Sequence, residues 1–99
     1  MSTSKEDYFF LDVREEDEFN LDSVPKSFNM PVRKILSVGY GFSSGFWEKM
    51  IPKNKILVLY CSTGRRAQMA EDALKEKDYQ TKNVNTLEKA KKFYNSITD

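Results

Sequence analysis

The chain carries two compact apolar runs. Tyr8-Phe9-Phe10-Leu11-Asp12-Val13 is rich in strand formers and ends in the charged cluster Arg14 to Glu18, a pattern that predicts a buried strand and then a short helix. Ile56-Leu57-Val58-Leu59-Tyr60 is uninterrupted, as expected of a parallel strand covered on both faces, and predicts the central strand of a sheet. Between the runs, Leu21 to Pro31 holds Asp22, Ser23, Pro25, Ser27 and Asn29, an irregular connection leading to a brief extended piece at Phe28-Asn29-Met30. Val32 to Val38 predicts a short helix and Gly39 to Gly45 an aromatic-bearing loop, after which Phe46, Trp47, Met50 and Ile51 suit one face of another short helix. Pro52 to Lys55 reads as a turn.

Beyond the second run the period changes. From Arg66 to Lys77, Ala67, Ala70, Ala73 and Leu74 recur at helical spacing, and their small size lets a helix lie close against a sheet. Lys82 to Asn85 predicts a last short strand, and Thr86 can cap a final helix on which Leu87, Ala90, Phe93, Tyr94 and Ile97 share a face. Strands alternate with helices, so the predicted class is α/β with a small, mainly parallel sheet. In such sheets ligands bind outside the carboxyl ends of the strands.

With 99 residues, the expectation is one small domain over 1–99 with a modest core. Sixteen Lys and Arg against 15 Asp and Glu leave a net charge of +1, which argues against a nucleic-acid or polyanion binder. The chain has no histidine and one cysteine, so a metal site would lack its usual ligands, and neither metal nor cofactor is expected. A single cysteine forms no intrachain disulfide, which fits a reducing compartment. No segment approaches the roughly 20 apolar residues of a membrane span. The acidic N-terminus, Met1 to Asp7, reads as neither secretory signal nor transit peptide, so the expected location is cytoplasmic. No second apolar face stands out, and a monomer is expected.

The candidate chemistry lies in Tyr60-Cys61-Ser62-Thr63-Gly64-Arg65-Arg66, where the cysteine ends an apolar strand just before a helix. Backbone N–H groups at a helix start lack intrahelical partners and converge on whatever occupies the preceding loop. With the positive end of the helix dipole and two guanidinium groups nearby, they favour thiolate over thiol at Cys61. Gly64 supplies a backbone conformation that a side chain would hinder. Two cations meet a helix N-terminus unfavourably, so Arg65 and Arg66 point to an anion in the loop. The acids Glu15, Glu16, Asp17 and Glu18 read as the first turn of a solvated helix without chemistry. Tyr40, Phe42, Phe46 and Trp47 could rim a pocket, but core packing is the commoner fate of such aromatics.

Two motifs taken together resemble the rhodanese-like family. Leu11-Asp12-Val13-Arg14-Glu15, with Glu18-Phe19 behind it, is similar to the family's strand-ending D-V-R and following E-[FY]. Cys61-Ser62-Thr63-Gly64-Arg65-Arg66 is similar to C-x-x-G-x-R, with Ala70, Leu74 and Tyr79 at the spacing of the helix and strand approach that follow. The likeness runs from Phe9 to about Phe93. The G-H-[IV]-x-G-A segment departs, reading Leu21 to Ser27 without histidine or glycine, as do the paired glycines near the C-terminus, replaced around Thr86 to Lys89. The strand and helix ahead of the Asp12 strand are expected to be shortened or missing.

The resemblance implies a three-layer sandwich and the size of a minimal single-domain thiosulfate sulfurtransferase. It implies that Cys61 accepts a sulfane sulfur from thiosulfate or a persulfide donor and passes it to cyanide, a small thiol or a protein thiol. Ser62, Thr63, Gly64, Arg65 and Arg66 would bind the donor, and Asp12 and Arg14 would brace the loop. Two rivals stand beside this reading. Tyrosine phosphatases use C-x5-R, and here the sixth residue after the cysteine is Ala67. Phosphatases and arsenate reductases of rhodanese-like form use a loop one residue longer, so the short loop favours sulfur. The other rival is a non-catalytic binding or regulatory module.

Overall fold

The computed structural model describes residues 4–37 and 49–97. A 3-10 turn at Lys5–Asp7 leads into β1 (Tyr8–Asp12), followed by α1 (Glu16–Leu21), β2 (Phe28–Asn29) and α2 (Val32–Ser37). The second half supplies β3 (Ile56–Cys61), α3 (Arg65–Glu76), β4 (Gln80–Thr86) and α4 (Leu87–Ser96). The strands form one sheet in the order β2-β1-β3-β4, every pair parallel. The predicted Gly39–Gly45 loop, the first half of the predicted helix from Phe46, and the aromatics Tyr40, Phe42, Phe46 and Trp47 lie outside the described residues.

Strand alternation divides the core in two. Along β1 and β3, Leu11, Leu57, Leu59 and Cys61 turn to one face, where Ala67, Ala70 and Leu74 of α3 and Val32 and Ile35 of α2 cover them. Phe10, Val58 and Tyr60 turn to the other, against Ala90 of α4 and Ile97, with Leu87, Phe93 and Tyr94 packed alongside. Helices therefore cover both faces, the layering that the apolar runs predict. Ala67 and Ala70 are fully buried, so the small-residue stripe does bring α3 close to the sheet.

The helix ends follow known chemistry. Thr86 caps α4 by accepting the Lys89 N–H at 3.2 Å. At the end of α3, the Asp78 N–H reaches the Lys75 carbonyl and the Tyr79 N–H the Leu74 carbonyl, a Schellman arrangement with Asp78 at φ +67°. The chain then turns at once into β4.

β4 is longer than the predicted Lys82 to Asn85 and is an edge strand of mostly polar residues. Its register against β3 slips by one: Leu59 faces Asn83 but Tyr60 faces Asn85. Asn85 takes a left-handed backbone, φ +70°, with its N–H held by the Asn83 side-chain carbonyl at 2.8 Å. This bulge brings Asn85 beside the loop that follows β3.

Candidate active site

Cys61 is the last residue of β3 and is wholly buried. Three residues later Gly64 turns the chain at φ +96° and serves as the N-cap of α3. A left-handed residue at that point folds the loop back over the strand end, and the first turn of the helix then faces the sulfur. The Gly64 N–H lies 2.9 Å from Cys61 Sγ and the Ala67 N–H 3.4 Å from it. Two backbone donors aimed at one sulfur are suited to hold negative charge there.

Gly64 has little space as well as an unusual backbone. A Cβ placed on it would meet the Asn85 side chain at 3.3 Å. The bulged strand thus forms one wall of the loop. The sequence reading did not single out Asn85; its only sequence signal is a short polar residue that tolerates left-handed backbone where a strand must kink.

The two arginines have different surroundings. Arg66 forms a two-point pair with Glu18 of α1, Nη1 to Oε1 at 2.7 Å and Nη2 to Oε2 at 3.1 Å. The Ser62 hydroxyl completes the cluster, donating to Glu18 Oε2 at 3.0 Å and accepting from Arg66 Nη2 at 3.2 Å. Arg66, the Glu15 N–H and Ser62 all donate to the Glu18 carboxylate, holding it down at about 2. Arg65 is exposed, and among the described residues its guanidinium has no ion-pair or hydrogen-bond partner. Thr63 is exposed beside it.

The reading of the acidic cluster as a solvated first turn therefore needs correction at one residue. Glu15 and Glu18 do form a capping box at the start of α1, as a first helical turn should. Glu18 also reaches the cysteine loop, its carboxylate meeting Ser62 and Arg66. Its sequence signal was an acid three residues after the N-cap Glu15.

Asp12 and Arg14 are buried together at the end of β1, joined through Arg14 Nη2 to Asp12 Oδ2 at 2.7 Å. Arg14 also donates to the Asp22 carbonyl and lies 5.8 Å over the Tyr60 ring. Their contacts thus run to the α1–β2 connection and to the residue preceding Cys61. No hydrogen bond joins either to residues 62–66 among the described residues. The Tyr60 hydroxyl carries the same support onward, accepting the Val24 N–H at 3.1 Å and donating to Ser27 at 3.0 Å. Burial is the main cause that pushes the Tyr60 phenol up to about 12.

A buried cysteine at the carboxyl end of a central parallel strand, under two N–H donors, matches what the motifs imply. The family model of the Rhodanese-like domain matches residues 1–92. The chain belongs to the rhodanese-like family.

Relatives agree with this membership. A Schizosaccharomyces pombe protein, provisionally described as a mitochondrial thiosulfate sulfurtransferase, is 37% identical over 79 residues, covering 70% of this chain and 51% of its own length. The chain thus spans about half of that curated relative. Among solved structures, an Escherichia coli rhodanese with anions superposes at a TM-score of 0.67 and 23% identity, covering 83% of this chain and 89% of that one. An uncharacterized Saccharomyces cerevisiae protein superposes at 0.64 and 27% identity, covering 80% and 70%. The rhodanese fold expected from the two motifs is the fold observed. Among the described residues no cluster could hold a metal ion, and no helix is long and apolar enough to cross a membrane.

Proposed function

We propose that this rhodanese-like protein is a sulfurtransferase that carries a sulfane sulfur on Cys61. The observation that supports this most directly is the pair of N–H donors, from Gly64 and Ala67, converging on a cysteine sulfur at the end of β3.

In the proposed reaction the Cys61 thiolate attacks the outer sulfur of thiosulfate. The bond between the two thiosulfate sulfurs breaks, sulfite leaves with the electron pair, and Cys61 is left as a persulfide anion. The N–H groups that point at Sγ then help to stabilise the negative charge of the persulfide. Attack on that sulfur by cyanide or a thiolate forms the new bond, breaks the persulfide S–S bond and returns Cys61 as thiolate. No second cysteine exists in the chain to resolve the persulfide, so an outside nucleophile collects the sulfur. A protein persulfide can replace thiosulfate as donor without altering the second half.

Arg65 is the cation we assign to the incoming anion, because Arg66 is already matched by Glu18. Ser62 and Arg66 then shape the loop, and Asp12 with Arg14 steadies the strand ends through Tyr60. We read the working compartment as the cytosol, from a chain with a single cysteine and no intrachain disulfide.

Intact-protein mass spectrometry after thiosulfate treatment, paired with cyanide-dependent thiocyanate release, tests the proposal. The expected result is a gain of one sulfur that cyanide removes and that Cys61→Ser abolishes. Failure of both thiosulfate and a protein persulfide to load Cys61 would replace this reading with that of a binding module.

A further inference from the structure

The end of the sheet opposite Cys61 carries a concavity of ≈ 450 Å³, at the amino ends of β1 and β3. It lies between Tyr94 of α4 and the turn at Pro25 and Lys26, with Tyr8 and Phe10 of β1 also lining it. Its volume is in the range of small-molecule sites. Lys5, Lys26 and Lys55 line it against one acid, Glu6.

The lysines are not equivalent. The Lys5 ammonium is held by the Ile97 carbonyl at 3.0 Å and sits 4.6 Å over the Tyr94 ring. Lys26 and Lys55 have no hydrogen-bond or ion-pair partner among the described residues. Lys26 also occupies a strained position. The turn is closed by the Ser27 N–H on the Val24 carbonyl at 3.1 Å, with proline second and Lys26 third at φ +63°. That third position favours glycine, which takes positive φ freely. A lysine kept in such a backbone, with its side chain along a cavity, points from strain to ligand holding.

We propose that this cavity is a binding site for a small organic anion that joins a flat ring to a phosphate or carboxylate, the class to which nucleoside monophosphates belong. Lys26 and Lys55 meet the charged group as charge-assisted donors. The Tyr8 and Tyr94 rings offer the ring a surface, and Lys5, already docked on Tyr94, adds positive field without being consumed by it. The site is separated from Cys61 by the full length of β3, so it is distinct from the sulfur-transfer site.

Backbone-amide NMR titration of the full chain with adenosine monophosphate, inorganic phosphate and adenosine tests this. Adenosine monophosphate is expected to give saturable shifts at Tyr8, Lys26, Lys55 and Tyr94, and to bind at least tenfold more tightly than inorganic phosphate or adenosine. Lys26→Gly relieves the strained backbone, so it should keep or raise the thermal midpoint while weakening binding by about tenfold, and leave loading of Cys61 with sulfur unchanged. Equal affinity for inorganic phosphate and the nucleotide, shifts confined to the Cys61 loop, or undiminished binding in Lys26→Gly would overturn the proposal.

Discussion

Glu18 and Arg66 meet through both oxygens and both terminal nitrogens, at 2.7 and 3.1 Å, and join a short helix to the first turn of the one that follows the cysteine. An isolated surface pair of this kind contributes little. Here the pair is part of a three-member cluster with Ser62, so it fixes the shape of the loop rather than adding much to global stability.

Exchanging the two loop arginines separates their roles. Arg65→Gln should raise the KM for thiosulfate about five- to tenfold, with kcat and thermal midpoint nearly unchanged, because it removes one charge-assisted contact to the donor. Arg66→Gln should lower kcat and leave Glu18 held by Ser62 and the Glu15 N–H alone. Steady-state thiocyanate formation with both variants decides between this division and a shared role.

Acid should act on the same cluster. The Glu18 carboxyl is held at about 2, below its ordinary 4.5, so its contribution to stability is present above pH 4.5 and disappears as pH falls toward 2. Urea midpoints measured from pH 5 to pH 3 should therefore fall more steeply for the wild type than for Glu18→Gln. Equal slopes would mean that the pairing adds nothing to the folded state.

Gly64→Ala faces two obstacles, a backbone at φ +96° and the Asn85 side chain 3.3 Å from the new carbon. A loss of about 1–3 kcal/mol in unfolding free energy is expected, with slower sulfur loading of Cys61. Adding Asn85→Gly should recover only the part due to crowding. Denaturant melts of the single and double variants measure the two parts.

Tyr60→Phe leaves the buried Val24 N–H without its acceptor and should cost about 1–3 kcal/mol, with the KM for thiosulfate unchanged. Alkali gives a second reading. Because the phenol is pushed up to about 12, its neutral form supports the fold below pH 10 and that support is lost as pH rises from 10 toward 12. The variant should lose stability less steeply over that interval.

The parts legible in the sequence are those fixed by local pattern. The Ile56–Tyr60 run was the best candidate for a covered strand, and it set the position of Cys61; the alanine stripe from Ala67 gave the helix and its buried face. Thr86 was legible as a cap because its partner lies three residues away. Glu18 was not, since its second role depends on how α1 packs against a loop distant in sequence, and first-turn acids on helices are usually solvated. Asn85 was missed for a related reason. A polar edge strand carries no hydrophobic alternation, so neither its true length nor its one-residue slip leaves a mark on the pattern.

The contact between Gly64 and Asn85 has a bearing on how the protein is made. Cys61 and the helix after it are synthesised first, yet the wall against Gly64 comes from Asn85 of a later strand. A chain still emerging from the ribosome, with β4 inside the exit tunnel, would hold that loop from the Glu18 side alone. The loop around Cys61 thus acquires its second wall only once β4 has been made and has joined the sheet.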